Sequence, residues 1–405
     1  MPRSKSGVEP SPKFDAQSIL AGGRHLRLLQ EHLDDLHALP AHGNRVIGLD
    51  HLVVAHLLAF FNPALRGLRS IEDLFSVPAV RKRLGTPRLP KSSVSDAQRV
   101  LDPKLLLPLI QSLRERAGIQ PHDTRLDTLT RRLLAADGTF FAVAPRIAWA
   151  LFNGPTKGNI RLHVQFDVLK GLPEHVTLTD GHEAETQQLR EAIRPESVYV
   201  LDRGFADYQL LSEIISAKSD FVVRLRESAV RRDARELPLS AADVAAGVKS
   251  DRRITLGWRV DRTPELPELR CVEMRAPHRD GGEQTLLLLT NRHDLPAWMI
   301  ALIYQHRWQI ELFFRWLKCM ARFEHFFSES REGMTLQVYA TLIGMLLIAI
   351  QTGARPSKYD YALLSVAFAG GAPLDQILDA AQKRREERQR AAEADRRRRA
   401  EKAKR

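Results

Sequence analysis

The order of secondary-structure patterns in the middle of the chain constrains the fold more than any other feature. Stretches with strand character lie at residues 133–143, 161–169 and 174–178. A helical pattern at about 183–193 comes next, then a strand at 198–201, a second helix to about 217 and a buried strand at 221–225. Three consecutive strands, followed by strands that alternate with helices, predict a mixed α/β sheet with flanking helices.

Helical patterns precede this α/β region. Between about residues 15 and 118, apolar residues recur at spacings of three and four. Short helices broken at Pro78, Pro87 and Pro90 carry many Arg and Lys residues, which predicts a small DNA-binding module of helix-turn-helix type. Any compact helical domain can show the same pattern, so a purely structural role stays open.

The sequence also predicts an interruption of the α/β region. From about residue 226 to 283 the periodicity gives way to short charged strands with Pro and Gly turns. A strand at 285–290, a helix at about 296–320 and a buried helix at about 336–351 follow. The predicted order is a helical N-terminal region (1–125), a core in two parts (126–225 and 284–355) around a β-rich insertion (226–283), and a C-terminal helical region with a basic tail (356–405).

Charge and cysteine content limit the class of protein. The 405 residues carry a formal charge of +12, and residues 383–405 hold twelve Lys and Arg against five Asp and Glu. Such a tail attracts nucleic acid without reading its sequence, or it is a solvated segment without a partner. Two cysteines exclude a disulfide framework, and the longest apolar run, residues 340–350, is shorter than a membrane span. We expect a soluble, cytoplasmic protein that faces nucleic acid.

The predicted helix at 296–320 carries a narrow polar stripe. Tyr304, Arg307, Glu311 and Lys318 fall within a sector of roughly 60° on a helical wheel. Apolar and aromatic residues occupy the other flanks, and a helix that is apolar almost all round is a buried one. The stripe is therefore expected to face a cleft or a ligand, with a solvent-exposed amphipathic helix as the alternative.

Three acids occupy positions that suit metal-assisted phosphodiester chemistry. Asp137 lies inside an apolar strand, Asp202 at the end of another strand, and Glu311 on the striped helix. Two divalent ions roughly 3.5–4 Å apart can activate a nucleophile and relieve charge on the leaving oxygen, and Mg²⁺ prefers oxygen ligands. Structural roles stay open for Asp137, in an Asp-Gly turn, and for Asp202, as a helix cap.

Other polar residues of this region are rival candidates. Asp167 lies in an apolar strand, while Asp180 fits a turn and Glu183 fits a charge at the start of a helix. His163, also in a strand, is expected to be a core or supporting residue rather than a metal ligand.

The stripe residues form the pattern Y-(2)-R-(3)-E-(6)-K, which resembles the motif of the insertion-sequence-4 group of DDE transposases. Further stretches are similar to the same family: A-D-G-T around Asp137, V-L-D-R-G-F around Asp202, and L-L-L-L-T-N-R at residues 286–292. The resemblance spans about residues 130–350. It is specific because all the pieces occur together and in this order.

The resemblance implies a ribonuclease-H-like fold with a β-rich insertion before the glutamate, in agreement with the order of the strands and helices. It also implies that Asp137, Asp202 and Glu311 are the catalytic residues and hold a pair of Mg²⁺ ions, with Mn²⁺ as an alternative.

DNA is the implied partner. Tyr304, Arg307 and Lys318 would contact phosphates at the transposon end, and Arg203 is assigned to DNA binding with them. The family hydrolyses one strand at the end of its element and then uses the freed 3′-hydroxyl to attack target DNA, so terminal inverted repeats and target DNA are the implied substrates. A homodimer on paired ends in the bacterial cytoplasm, at the nucleoid, is implied as well.

One departure from the family concerns a tryptophan that some members carry just before the L-L-L-T stretch, which is residues 287–290 here. In those members it stacks on a flipped base during hairpin formation. Leu286 stands there, and Trp258 in the insertion is either a replacement or a core residue. Two other functions stay open. One is an inactive, transposase-derived regulator that only binds DNA, and the other is a structure-specific nuclease or junction resolvase without strand transfer.

Overall fold

The computed structural model describes residues 27–38, 46–62, 64–118, 122–256, 266–277, 280, 282–321, 323, 325–368 and 374–402. They divide into two compact units, one from the described part of residues 1–118 and 316–405, the other from that of residues 119–315. The first unit is helical, and the second contains the sheet.

Fourteen α-helices occur in the described residues. They are α1 (Arg27–His37), α2 (Leu49–Phe61), α3 (Leu68–Ser76), α4 (Pro78–Leu84), α5 (Lys91–Val100), α6 (Leu107–Ala117), α7 (Glu185–Glu191), α8 (Tyr208–Ser216), α9 (Ala241–Ala245), α10 (Ala297–Gln305), α11 (Trp308–Met320), α12 (Arg331–Thr352), α13 (Lys358–Phe368) and α14 (Leu374–Lys402).

Nine strands form one mixed sheet within the described part of the second unit. They are β1 (Arg132–Val143), β2 (Gly158–Asp167), β3 (Leu172–Asp180), β4 (Ser197–Leu201), β5 (Asp220–Leu225), β6 (Arg231–Glu236), β7 (Val248–Leu256), β8 (Leu269–Pro277) and β9 (Glu283–Thr290). Their spatial order is β3-β2-β1-β4-β5-β9-β8-β7-β6. β4 pairs in parallel with β1 and with β5, while the other neighbours are antiparallel. Helices α7, α8 and α10 pack on these strands, so the predicted mixed sheet with flanking helices is confirmed.

Parallel pairing at the centre of the sheet brings distant acids together. In the register of β1 and β4, Ala135 pairs with Val200. Because both strands run in the same direction, two further residues bring Asp137 level with Asp202, which directly follows β4. The register of β4 and β5 likewise brings Arg224 level with Asp202.

The strands of the predicted insertion extend this same sheet. β9 pairs with β5 on one side and with β8 on the other, and β7 and β6 continue outward. Arg270 on β8 donates to both carboxylate oxygens of Asp251 on β7, at 2.8 Å and 2.5 Å, and both side chains are buried. Arg270 also donates to the carbonyl of Leu295. This one ion pair therefore links the sheet extension to the residues that precede α10.

The prediction of one continuous helix at 296–320 is wrong, because α10 and α11 are separate helices that meet at His306 and Arg307. The backbone N–H of Arg307 donates to the carbonyl of Tyr304, and that of Gln309 to the carbonyl of His306, each at 3.0 Å. Bonds between residues three apart tighten a helix into a turn without any Pro or Gly. The stripe is therefore carried by two helices and the turn between them.

The helical unit is built around α12, which is buried along most of its length and packs against α2, α5 and α6. Among the described residues it is the one helix long and apolar enough to cross a membrane, but 89% of its apolar window is buried inside the protein. It therefore packs as a core helix. The basic tail continues α14 as far as Lys402, and residues 1–26 and 403–405 lie outside the described residues.

Candidate active site

A polar cleft of about 410 Å³ lies in the sheet unit. It brings together six of the seven residues singled out from the sequence: Asp137, Asp202, Glu311, Tyr304, Arg307 and Arg203. Two residues that the sequence did not indicate, Arg224 and Gln284, complete its lining. The seventh residue, Lys318, belongs to the helical unit, where it lines a different cavity of about 330 Å³.

Asp137 reaches the cleft from the middle of β1. Its side chain is 22% exposed, and its Oδ1 accepts a hydrogen bond from the backbone N–H of Gly138 at 2.8 Å. The pKa of Asp137 is raised to about 7, chiefly by burial and also by the charges of Glu185 and Asp202, while the Gly138 N–H and Arg307 oppose the shift. The surroundings of this carboxyl group therefore favour its uncharged form.

Asp202 has two roles in its surroundings. It caps the short 3₁₀ turn Arg203–Phe205, since its Oδ1 accepts a hydrogen bond from the N–H of Gly204 at 2.7 Å. The half-buried carboxylate also lines the cleft. Asp202 therefore caps the turn and also lines the cleft, so the structural role and the position in the cleft do not exclude each other.

Arg307 links the acids of the cleft. Its guanidinium donates to Glu311 Oε1 at 2.5 Å, and its other terminal nitrogen lies 3.8 Å from Asp137 Oδ2. The guanidinium also lies over the ring of Tyr304, 5.8 Å from the centroid, and burial raises the pKa of that phenol. The tight turn between α10 and α11 makes this possible, because it points Arg307 toward β1 while Glu311 follows one turn later.

A fourth acid, Glu185, lies beside this group on α7. A Cβ placed on Gly138 would lie 2.4 Å from its Oε1, so the carboxylate occupies the space next to the residue that follows Asp137. Burial raises the pKa of Glu185, and the charge of Asp202 adds to that effect while Arg161 opposes it. The only hint of this close approach in the sequence is Gly138, whose lack of a side chain directly after Asp137 leaves room for Glu185.

The rival residues have structural partners. Asp167 Oδ1 accepts from the N–H of Lys170, and Asp180 Oδ1 from the N–H of His182, each at 2.8 Å, as turn residues do. His163 contacts the hydroxyl of Thr179 at 2.9 Å, and burial lowers its pKa to about 4. Trp258 lies outside the described residues.

A second group of side chains with metal-binding chemistry lies in the helical unit and consists of His37, Asp50 and His51. His37 Nδ1 lies 2.9 Å from Asp50 Oδ2, and His51 Nε2 lies 3.5 Å from the same oxygen. The N–H of Gly48 donates to His51 Nδ1 at 3.0 Å, which places the proton of the neutral ring on Nε2. That nitrogen then faces the carboxylate as a donor and has no lone pair for a metal.

The donor set of the cleft suits a hard divalent cation. Three carboxylates from a strand, a strand end and a helix converge there, and each offers oxygen ligands of the kind that Mg²⁺ and Mn²⁺ take. The environment of Asp137, in which burial and two other carboxylates disfavour its charged form, is one that a cation would relieve.

Transposases are among the known proteins that this chain resembles. A transposase named y4zB from Sinorhizobium fredii is 31% identical over 233 residues, which cover 56% of this chain and 64% of the relative, so the match spans less than two thirds of that protein. The transposase of insertion sequence element IS5377 from Geobacillus stearothermophilus is 23% identical over 297 residues, 72% of this chain and 76% of the relative. A transposase of element IS4SA from Synechocystis is 20% identical over 221 residues, 53% and 58% of the two chains.

The sequence model of one protein family, the transposase DDE domain, matches residues 128–347 of this chain. That range contains β1 to β9, all eight residues that line the cleft, and most of α12. The chain belongs to the family of proteins with a transposase DDE domain.

Proposed function

We propose that this protein is a metal-dependent DNA transposase that cuts DNA at the ends of its element and joins the freed end to target DNA. The observation that carries the proposal is the meeting of Asp137, Asp202 and Glu311 in one cleft, from elements far apart in the chain. Membership of the DDE family supports it. The strand order β3-β2-β1-β4-β5, antiparallel and then parallel, supports a ribonuclease-H-like core.

In this proposal Asp137, Asp202 and Glu311 hold two Mg²⁺ or Mn²⁺ ions. When bound, such ions supply the charge that activates the attacking oxygen and stabilises the leaving oxygen. The same three carboxylates serve both steps, since only the nucleophile changes: water in strand cleavage and the 3′-hydroxyl of the cut end in strand transfer.

The cations of the cleft bind the DNA backbone. Arg203, Arg224 and Arg307 line it together with the hydroxyl-bearing Tyr304, and guanidinium groups form paired hydrogen bonds to phosphate. Arg307, which now pairs with Glu311, would take a phosphate as its stronger acceptor and release the carboxylate for a cation.

The helical unit contributes DNA contacts of its own in this proposal. The basic side chains Lys91 and Arg99 are exposed on α5, and Lys318 stays a proposed phosphate contact although it does not line the cleft. Terminal inverted repeats and target DNA are the proposed substrates. Two copies of the chain would act together, because transposition joins two element ends to one target.

Cleavage of a plasmid that carries the terminal repeats of the element tests the proposal. We expect excision with Mg²⁺ or Mn²⁺ and none with EDTA, followed by joining of the excised DNA to a second plasmid. Binding of the repeats without any cut under these conditions would favour a DNA-binding regulator, whereas cutting of branched DNA without joining would favour a junction resolvase.

A further inference from the structure

We propose that Glu185, which lies beside the cleft, acts as a fourth acidic residue that helps to hold the divalent cations of the cleft. This inference rests on the proposed metal-dependent function and adds to it a residue of the structure that lies outside the motif positions.

Glu185 has a defined place next to β1. It is the first residue of α7. A Cβ on residue 138 would lie only 2.4 Å from its Oε1, which is too close for two non-bonded atoms. Gly138 is thus the residue that allows this approach, one position after Asp137. The carboxylate interacts electrostatically with both Asp137 and Asp202, so three acids from β1, the end of β4 and the start of α7 share one small region.

The side chain of Glu185 accepts no hydrogen bond from any described residue, although it is only 28% exposed. Its nearest cation is Arg161, whose Nε lies 4.0 Å from Oε1. Burial of a carboxylate without donors costs free energy, and a cation in the cleft would supply the missing interaction.

Arg161 is held away from Glu185 by other partners. Its guanidinium lies 4.1 Å above the ring of Phe140 and donates to the backbone carbonyl of Glu183 at 3.0 Å. Its buried Nε has no hydrogen-bond partner. A residue whose purpose was an ion pair with Glu185 would be expected to use that donor, so the arrangement leaves the carboxylate available to another cation.

The charges of the region favour the same role. Glu185 interacts electrostatically with Asp137 and Asp202, which line the cleft together with Glu311, and the guanidinium of Arg307 is shared by Glu311 and Asp137. Carboxylates that interact in this way disfavour one another's charged form, and a divalent cation among them would remove that penalty. Residues that support metal ligands typically change metal affinity by about 10- to 100-fold when they are replaced.

The test measures Mn²⁺ binding to the full-length protein without DNA, by the loss of the electron paramagnetic resonance signal of free Mn²⁺. We expect Glu185→Gln to weaken the affinity by about tenfold or more. Glu183→Gln is the matched control, because its carboxylate is two residues away and only its backbone carbonyl contacts Arg161; we expect no change. Asp137→Asn removes a proposed direct ligand, so its loss of Mn²⁺ affinity shows whether the measured Mn²⁺ is bound in the cleft.

The variant Arg161→Gln separates cation binding from a structural ion pair. If Glu185 serves the cations, removal of Arg161 leaves Mn²⁺ affinity unchanged or raises it, because a competing positive charge is lost. Equal losses of affinity in Arg161→Gln and Glu185→Gln would overturn the proposal in favour of an ion pair that maintains the fold.

The variant Gly138→Ala displaces the carboxylate of Glu185 without changing its charge. Gly138→Ala adds the Cβ that collides with Glu185 Oε1, so we expect weaker Mn²⁺ binding, and no further loss when it is combined with Glu185→Gln. Full Mn²⁺ affinity in Glu185→Gln, with a loss in Asp137→Asn, overturns the role of Glu185 alone. Full affinity in Asp137→Asn, Asp202→Asn and Glu311→Gln overturns the proposed metal site as a whole.

Discussion

Arg307 interacts with two of the carboxylates of the cleft, since one of its terminal nitrogens donates to Glu311 and the other lies 3.8 Å from Asp137. Each of these three side chains is at least three quarters buried, so solvent and salt screen their charges less than those of surface groups. At the residue scale the cleft therefore combines three partly buried carboxylates with the guanidinium groups of Arg203, Arg224 and Arg307, and single substitutions there have specific consequences.

Replacement of one acid at a time tests the chemistry of the cleft. We expect Asp137→Asn, Asp202→Asn and Glu311→Gln each to reduce strand cleavage by more than about a hundredfold, since a direct ligand matters more than a supporting residue. Binding of the terminal repeat should stay within a fewfold of the wild type, because the amides keep the size of the side chains. The assay is single-turnover cleavage with a parallel gel-shift titration, and wild-type cleavage by all three variants would refute the assignment.

Arg224 tests the DNA-contact role of a residue that lines the cleft. Arg224→Ala should weaken DNA binding and lower the slope of log K against log salt by about 0.9, the value for one phosphate contact. Arg226, exposed and two residues farther along, does not line the cleft and provides the matched control. Equal slopes for Arg224→Ala and the wild type would exclude a phosphate contact at Arg224.

The residues that sequence reasoning found and missed differ in a physical way. Asp137, Asp202 and Glu311 each stand out locally, as an acid within or beside an apolar segment. Arg224 and Glu185 do not: the first depends on the parallel register of β4 and β5, and the second on how α7 packs against Gly138. Such positions are set by contacts between distant segments and have no signal in their own neighbourhood.

At the scale of helices and strands, the turn between α10 and α11 is the clearest difference from expectation. Periodicity alone favours one helix, because no Pro or Gly interrupts residues 297–320. The turn forms through the tightened hydrogen bonds at Tyr304 and His306. Strands β1 to β5 and β9, in contrast, were predictable to within a few residues, because runs of β-branched and apolar residues mark them directly. The charged strands β6 to β8 have no such runs, and the sequence predicted only that this stretch is β-rich.

The buried pair of Asp251 and Arg270 tests the extension of the sheet. Asp251→Ala leaves Arg270 buried without its carboxylate, and such a loss costs about 3–5 kcal/mol of unfolding free energy. The pair of Glu236 and Arg252 joins β6 to β7 in the same part of the sheet but is more exposed, so Glu236→Ala should cost less than about 1 kcal/mol. Chemical denaturation followed by circular dichroism measures both, and equal effects would contradict the structural role of the buried pair.

The stability of the helical unit should depend on pH through His56. Burial lowers its pKa to about 4, while its Nδ1–H donates to the carbonyl of Leu52 at 2.7 Å and its Nε2 accepts from Gln98. As the pH falls below about 6.5, the unfolded chain binds a proton before the folded one does. The stability that neutral His56 provides is therefore complete above that pH and is lost progressively down to about pH 4.

The size of this effect is up to roughly 3 kcal/mol for a single buried group. We expect the unfolding free energy to decline between pH 6.5 and 4, and His56→Gln to flatten that decline. His182, which is exposed, provides the control: His182→Gln should leave the pH dependence as it is. An unchanged slope in His56→Gln would show that other groups cause the decline.

At the scale of the whole molecule, charge is concentrated in the last helix. Beyond Arg385, nearly all described side chains of α14 are exposed, and the basic residues outnumber the acidic ones. Removal of residues 389–405 should lower the affinity for a random-sequence duplex by more than about tenfold at low salt, because several phosphate contacts are lost. A gel-shift series at increasing salt tests this, and unchanged affinity would mean that the tail does not contact DNA.

The central claim is that one cleft of this chain holds divalent cations between Asp137, Asp202 and Glu311. Anomalous X-ray scattering from crystals of the protein with Mn²⁺ and a duplex that carries its terminal repeat tests that claim most directly. We predict anomalous peaks within coordination distance of all three carboxylates, at about 2.0–2.6 Å from their oxygens. Peaks elsewhere, or three carboxylates without a peak among them while DNA occupies the cleft, would contradict it.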